Sequence, residues 1–188
     1  MLKSVIAAAV LVAASNAPLA AQAIVGSPVR FGIAGGATVP IGDLKDASKT
    51  GWHAGALVDI GLPLVPIGFR VDGMWNQLGK KTFADGTEIK NRVIYGTADA
   101  LYTFGSMLPT KFYLIGGIGV YNLKGEVNNS PVLGTDVSDT QTKFGVNAGA
   151  GLRFQLTGFS TFIEARWHDI FTSGSSTQMI PISVGLTF

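Results

Sequence analysis

The sequence predicts an all-β fold: an eight-stranded antiparallel up-and-down transmembrane β-barrel, preceded by a cleaved signal peptide. Three observations predict it. The last ten residues, Met179–Phe188, alternate strictly, with Ile180, Ile182, Val184, Leu186 and Phe188 on one parity and Pro181, Ser183, Gly185 and Thr187 on the other. Successive side chains of a strand point to opposite faces, so one face is wholly apolar. Charged residues make up only 14%, against roughly 25% in soluble domains, and mean hydropathy is positive. After the N-terminal run, no apolar segment reaches the ~18 residues of a membrane helix. An exported, apolar chain without such a helix keeps its backbone satisfied in lipid only as a closed barrel.

Export is read from the start of the chain. Met1-Leu2-Lys3 is a basic opening, Val5–Ala14 is a short apolar run, and Ala21-Gln22-Ala23 is a cleavage site of the A-x-A kind. The expected division is a signal peptide over 1–23 and one barrel domain over 24–188. There is no cysteine, which excludes disulfides and thiolate sites.

Eight alternating segments are predicted as strands: about 29–39, 51–62, 66–78, 91–104, 111–123, 143–155, 159–171 and 178–188. Each is long enough to cross a bilayer at a tilt, which takes ~9–11 residues. The connections alternate in kind. Those at 40–50, 79–90, 124–142 and 172–177 are polar and mostly long, whereas 63–65, 105–110 and 156–158 are short. Long loops on one rim and tight turns on the other suit a membrane barrel.

The parity opposite the apolar one carries the charges. Four of the five arginines, Arg30, Arg70, Arg153 and Arg166, sit mid-pattern in strands, alongside Asp59, Asp72, Asp99 and Glu164. The lysines lie instead in the leader, loops and strand ends. Four cations matched by four acids and interleaved with glycines predict an interior ion-pair network, because buried ions need partners. An eight-stranded barrel is just wide enough for side chains, so a plugged lumen is expected, not a channel. The facing of the fifth strand stays open. Phe112, Leu114, Ile118 and Val120 form one candidate lipid set, but Tyr113 and Tyr121 compete with them.

Trp52, Trp75 and Trp167 fall toward the long-loop ends on the apolar parity, as interfacial aromatics do. Phe31, Tyr102, Phe104, Phe154, Phe159 and Phe188 fall toward the short-turn ends.

With these features the chain resembles the small eight-stranded outer-membrane β-barrels of Gram-negative envelopes, the OmpA/OmpX/opacity-type, porin-like fold. The resemblance covers the mature chain. It rests on the leader, the strand pattern, Gly116-Gly117-Ile-Gly119-Val-Tyr121, Gly149-Ala-Gly151-Leu-Arg153-Phe, Glu164-Ala-Arg166-Trp-His168, and Phe188 closing an alternating strand. It implies location in the outer membrane, surface-exposed loops, contact with outer-membrane lipid and lipopolysaccharide, and passage through the barrel-assembly machinery, with Phe188 as the assembly signal. Nothing follows Phe188, so no peptidoglycan-binding domain is expected.

Site readings are few. His168 and Asp169, near Ser173, Ser175 and Ser176, suggest a lipid A deacylase-like hydrolase, itself an eight-stranded outer-membrane barrel. A triad needs its members in contact, and His168 and Asp169 have opposite parity. The expectation is no enzyme, with His168 and His53 in hydrogen-bond networks. The glycine clusters lack a following helix or a Gly-Lys-Ser/Thr, so they are read as packing room and not as phosphate loops. Loop lysines with Arg92 are candidates for lipopolysaccharide phosphates, but acids share that rim. No ligand spacing supports a metal, no cofactor is implied, and nothing points to nucleic acid. The 124–142 loop is long enough to recognise an extracellular partner. A soluble, exported lipocalin-like ligand binder is the remaining alternative, in which the apolar parity faces inward.

Overall fold

A computed structural model describes residues 29–62, 64–105, 110–128, 137–172 and 175–188. Eight long strands follow in order: β1 (Val29–Gly42), β2 (Lys49–Gly61), β3 (Ile67–Gly79), β4 (Glu88–Phe104), β5 (Thr110–Asn128), β6 (Val137–Gln155), β7 (Ser160–Thr172) and β8 (Ser175–Thr187). Each pairs antiparallel with the next, and β1 pairs with β8, so the sheet closes on itself. The seam is sealed by the main chains of Phe31 and Phe188, which exchange hydrogen bonds in both directions. Closure removes the edges within the barrel wall, so its ladder groups are paired where they would face hydrocarbon.

The register determines the dimensions. One hydrogen-bond row runs Arg30, Asp59, Arg70, Asp99, Gly117, Asn147, His168, Met179 and back to β1 at Pro40. It returns ten residues along the strand from which it left. With a strand rise of ~3.3 Å and a spacing of ~4.8 Å, this stagger implies a tilt of about 40° and a backbone radius of about 8 Å. That bore is filled by side chains.

The apolar parity faces outward all round: Ile163 is 50% exposed, Val184 56%, Ile118 67% and Phe144 71%. Arg70 and His168 on the other parity are fully buried. This is the reverse of a soluble carrier and removes the lipocalin-like reading. It also resolves β5: Phe112, Leu114, Ile118 and Val120 are exposed, while Tyr113 and Tyr121 point into the barrel and are buried.

Two details differ from the sequence expectation. The segments 124–128 and 137–142, expected within a loop, are strand, because β5 and β6 continue their ladder through Lys124↔Thr140 to Val127↔Val137. Together with the start of β4 they extend the sheet past the other strands at the long-loop rim. Backbone groups in water still gain from pairing, and no membrane boundary obliges a ladder to stop. The 40–50 connection contains a single helical turn, α1 (Leu44–Ala47). Leu44 packs onto an inward apolar cluster that includes Met74, Leu78, Tyr95, Tyr121 and Met179. The polar lumen is thus roofed by an apolar layer toward the long loops.

Candidate functional site: the filled lumen

The tilted row places charges of alternating sign on four adjacent strands. Arg30 on β1, Asp59 on β2, Arg70 on β3 and Asp99 on β4 are successive register partners. Cross-strand neighbours of opposite charge stabilise a sheet. The side chains then reach across the bore to further partners.

Arg70 is the lower hub. Its Nε donates to Asp59 Oδ1 at 2.6 Å, its Nη2 to Asp59 Oδ2 at 3.1 Å, and its Nη1 to Glu164 Oε2 at 2.7 Å. Asp59 Oδ2 also accepts from Arg153 Nη2. Arg166 is the upper hub. It donates to Asp72 at 2.7 Å, Asp99 at 3.0 Å and Glu164 Oε1 at 2.8 Å. Glu164 joins the two hubs, one carboxylate oxygen to each, and Tyr113 donates its hydroxyl to Oε2 at 2.7 Å. The result is one network linking β2, β3, β4, β5, β6 and β7. Arg forks suit it, since the Arg70 guanidinium serves two carboxylates at once and that of Arg166 serves three.

Several participants lie outside the eight charged residues expected from the sequence. Thr97 Oγ1 lies within hydrogen-bond reach of Asp72 and Asp99, and Asn147 donates to Asp99 at 2.7 Å. Tyr113 also faces the guanidinium of Arg153 at 5.4 Å. Their signal was the shared inward parity, which marks neutral polar residues as clearly as charged ones. Arg30 behaves differently: it joins no ion pair among the described residues, and its Nε is buried without a hydrogen-bond partner.

Glycines make room for the largest inward side chains. Tyr113 lies directly across from Gly151, Arg166 from Gly149, and Phe162 from Gly185. A Cβ on Gly151 would sit 2.4 Å from the Tyr113 ring, and one on Gly185 would sit 2.3 Å from Phe162. In so narrow a bore, a large residue on one strand requires none on its neighbour.

The histidines lie deep. The Thr38 hydroxyl donates to Asn76 at 2.7 Å, so it accepts from His53 Nδ1 at 3.0 Å; His53 Nε2 then accepts from Ser183 Oγ at 2.9 Å. His168 Nδ1 meets the Tyr121 hydroxyl at 2.8 Å, and its ring lies 4.9 Å from that of Tyr95. Asp169 points the other way and accepts from Gln178 at 3.2 Å. Ser173 lies outside the described residues, as do the side chains of Ser175 and Ser176. Among the described residues no cluster of three metal-ligating side chains occurs.

Trp52, Trp75, Trp167 and Phe188 all stand on the outer surface, exposed. Trp75 carries the guanidinium of Arg92 4.6 Å over its ring. Arg92 and Lys124 are direct cross-strand partners on that outer face, with Lys90 opposite Glu126 one step further out.

The backbone is similar to three solved membrane barrels. Neisserial surface protein A shares 20% identity over 86% of this chain and 96% of its own, with a TM-score of 0.62. A major outer membrane protein of Thermus thermophilus shares 12% over 85% and 98%, with a TM-score of 0.60. The N-terminal β-barrel domain of Pseudomonas aeruginosa OprF shares 16% over 87% and 99%, with a TM-score of 0.54. A search of the curated proteins found no match. The model of the outer membrane protein β-barrel domain matches residues 6–188; the chain belongs to that family, and it is an integral protein of the outer membrane.

Proposed function

We propose that this barrel is a non-enzymatic structural component of the envelope, holding its long-loop rim toward the outside and its short turns toward the periplasm. The observation that carries this reading is the filled lumen. Its two arginine hubs and their four acids are spent on one another, and both histidines are buried within it. A hydrolase acting on a membrane lipid needs its nucleophile and base where an acyl chain can arrive. The Ser183–His53 contact instead faces the sealed interior, with the two residues 4% and 2% exposed. His168 and Asp169 point to opposite sides of the wall.

In this reading Trp52, Trp75 and Trp167 mark the outer interface, and the outward Phe188 is the residue read by the assembly machinery. Arg92 sits over Trp75, with Lys124 as its cross-strand partner and Lys90 two residues further along β4, at the level where lipopolysaccharide phosphates meet a barrel. Arg92, steadied on the indole, contacts such a phosphate.

The test is mass spectrometry of lipid A from membranes with and without the protein, alongside His53→Ala and His168→Ala variants. Identical acyl chains in all samples support the reading; loss of an acyl chain with the intact protein alone overturns it. For the lipid contact, phosphorylated lipid A is expected to raise the unfolding temperature of the intact barrel more than that of Arg92→Gln. Equal shifts would remove that contact.

A further inference from the structure

We propose that the short-turn mouth of the barrel binds an anionic phosphate group. A cavity of ≈ 210 Å³ opens there, walled by the ends of β1 to β6 and by Leu62, Val65 and Pro66 between β2 and β3. Its ionic lining is Arg30, Lys111, Arg153 and Asp59. Three cations therefore face one acid, and that acid is already engaged: both Asp59 oxygens accept from Arg70, and one also accepts from Arg153.

The register sharpens the imbalance. Lys111 and Arg153 are direct cross-strand partners, on the inward side of β5 and β6, where they line the cavity together. Like charges placed so are destabilising, whereas the Arg30–Asp59–Arg70–Asp99 row alternates in sign. Arg153 is only 7% exposed, yet its Nε is buried without an acceptor; the Arg30 Nε is in the same condition. Buried donors left unmade are costly. One anion resolves all three anomalies. It accepts from the Nε groups of Arg30 and Arg153, separates Arg153 from Lys111, and supplies the missing negative charge. Guanidinium forks beside an ammonium suit the several oxygens of a phosphate, and the Thr103 side chain completes the polar lining. The group arrives either as free phosphate or as the headgroup of an anionic phospholipid in the adjoining leaflet.

The experiment follows the arginine Nε–H signals by ¹⁵N NMR in the intact folded barrel. In one arm, inorganic phosphate is titrated into protein in uncharged detergent without other phosphate. In the other, the barrel sits in phosphatidylcholine nanodiscs with and without phosphatidylglycerol, in phosphate-free buffer. Saturable shifts of the Arg30 and Arg153 signals are expected. A response to inorganic phosphate alone identifies the free ion, and a response to phosphatidylglycerol identifies the headgroup. The paired variant Arg30→Gln with Lys111→Gln leaves the Arg70 network untouched and is expected to bind about tenfold more weakly or worse, the loss of one or more charge-assisted hydrogen bonds. Its folding is checked by heat-modifiable gel mobility, and the single variant Arg30→Lys, which keeps the charge, is expected to retain part of the affinity. Silent Arg30 and Arg153 signals in both arms, or undiminished binding by the paired variant, would overturn the proposal.

Discussion

Glu164 shows how much one side chain settles in a bore this narrow. Its two oxygens accept from Arg70, Arg166 and Tyr113, so among the described residues it alone connects the two arginine hubs. Removing it leaves two buried guanidiniums short of an acceptor. Glu164→Ala is expected to cost about 3–5 kcal/mol in urea unfolding from lipid vesicles, the range for breaking a buried pair. Glu164→Gln keeps the acceptor oxygen and is expected to lose less. A loss below about 1 kcal/mol for the alanine variant would mean that the hubs stand independently. Gly185 is its steric counterpart. Gly185→Ala would place a methyl 2.3 Å from Phe162 and is expected to destabilise by about 1–3 kcal/mol through overpacking. Phe162→Leu in the same chain should recover part of that loss, and a double-mutant cycle reads the coupling directly. Additive effects would show that the ring is not what the methyl meets.

At the scale of the elements, inward and outward faces were legible because a strand repeats every two residues. Ile163 illustrates the outward face: it is half exposed and lies between Leu152 and Val184, both outward apolar residues. Ile163→Arg is expected to cost about 2–4 kcal/mol in folding from vesicles, as at a bilayer midplane, whereas Thr161→Arg nearer the rim should cost about 1 kcal/mol or less. Equal costs would contradict the depth assigned to the two positions. The extension of β4–β6 was not legible in the same way. Apart from Ile89, Val127 and Val137 its residues are polar or glycine, so alternation is too sparse to read and the segment resembles a loop even though its ladder continues. Ion pairs ride on that extension. Lys124 lies 2.5 Å from Glu126 and Lys80 lies 2.8 Å from Glu88, and each lysine holds its glutamate below the ordinary carboxyl value. A lowered folded-state value means that the pairing contributes above the unfolded glutamate's pKa and is lost as pH falls through the lowered one. Carboxyl ¹³C titration is expected to find Glu126 below ordinary glutamate, and Lys124→Gln should bring it back up; no change on that substitution would reject the pair as the cause.

For the whole molecule, closure turns eight amphipathic ribbons into a cylinder whose outside suits acyl chains and whose middle is blocked by side chains. With Arg70, Tyr113, Tyr121, Phe162 and Met179 almost wholly buried across the bore, the purified protein is expected to show no steady conductance in planar bilayers. A large, stable open level would require the hubs or the apolar roof to move aside.

The class of fold, its eight strands, its outward grease and the residues bound for the lumen could be read from the chain, because each follows from period-two alternation and from the need to satisfy backbone groups in lipid. Which arginine meets which acid could not. Four cations and four acids suggest pairing one to one, but the ten-residue stagger of the closed sheet gathers three acids around Arg166 and two guanidiniums around Asp59, and leaves Arg30 at the mouth with no ion pair among the described residues. The same closure settled β5, where both parities carry aromatic residues and only the glycines on neighbouring strands leave room for Tyr113 and Tyr121 inside. Partner choice across a barrel depends on tilt and radius, which belong to the closed sheet and to no single strand.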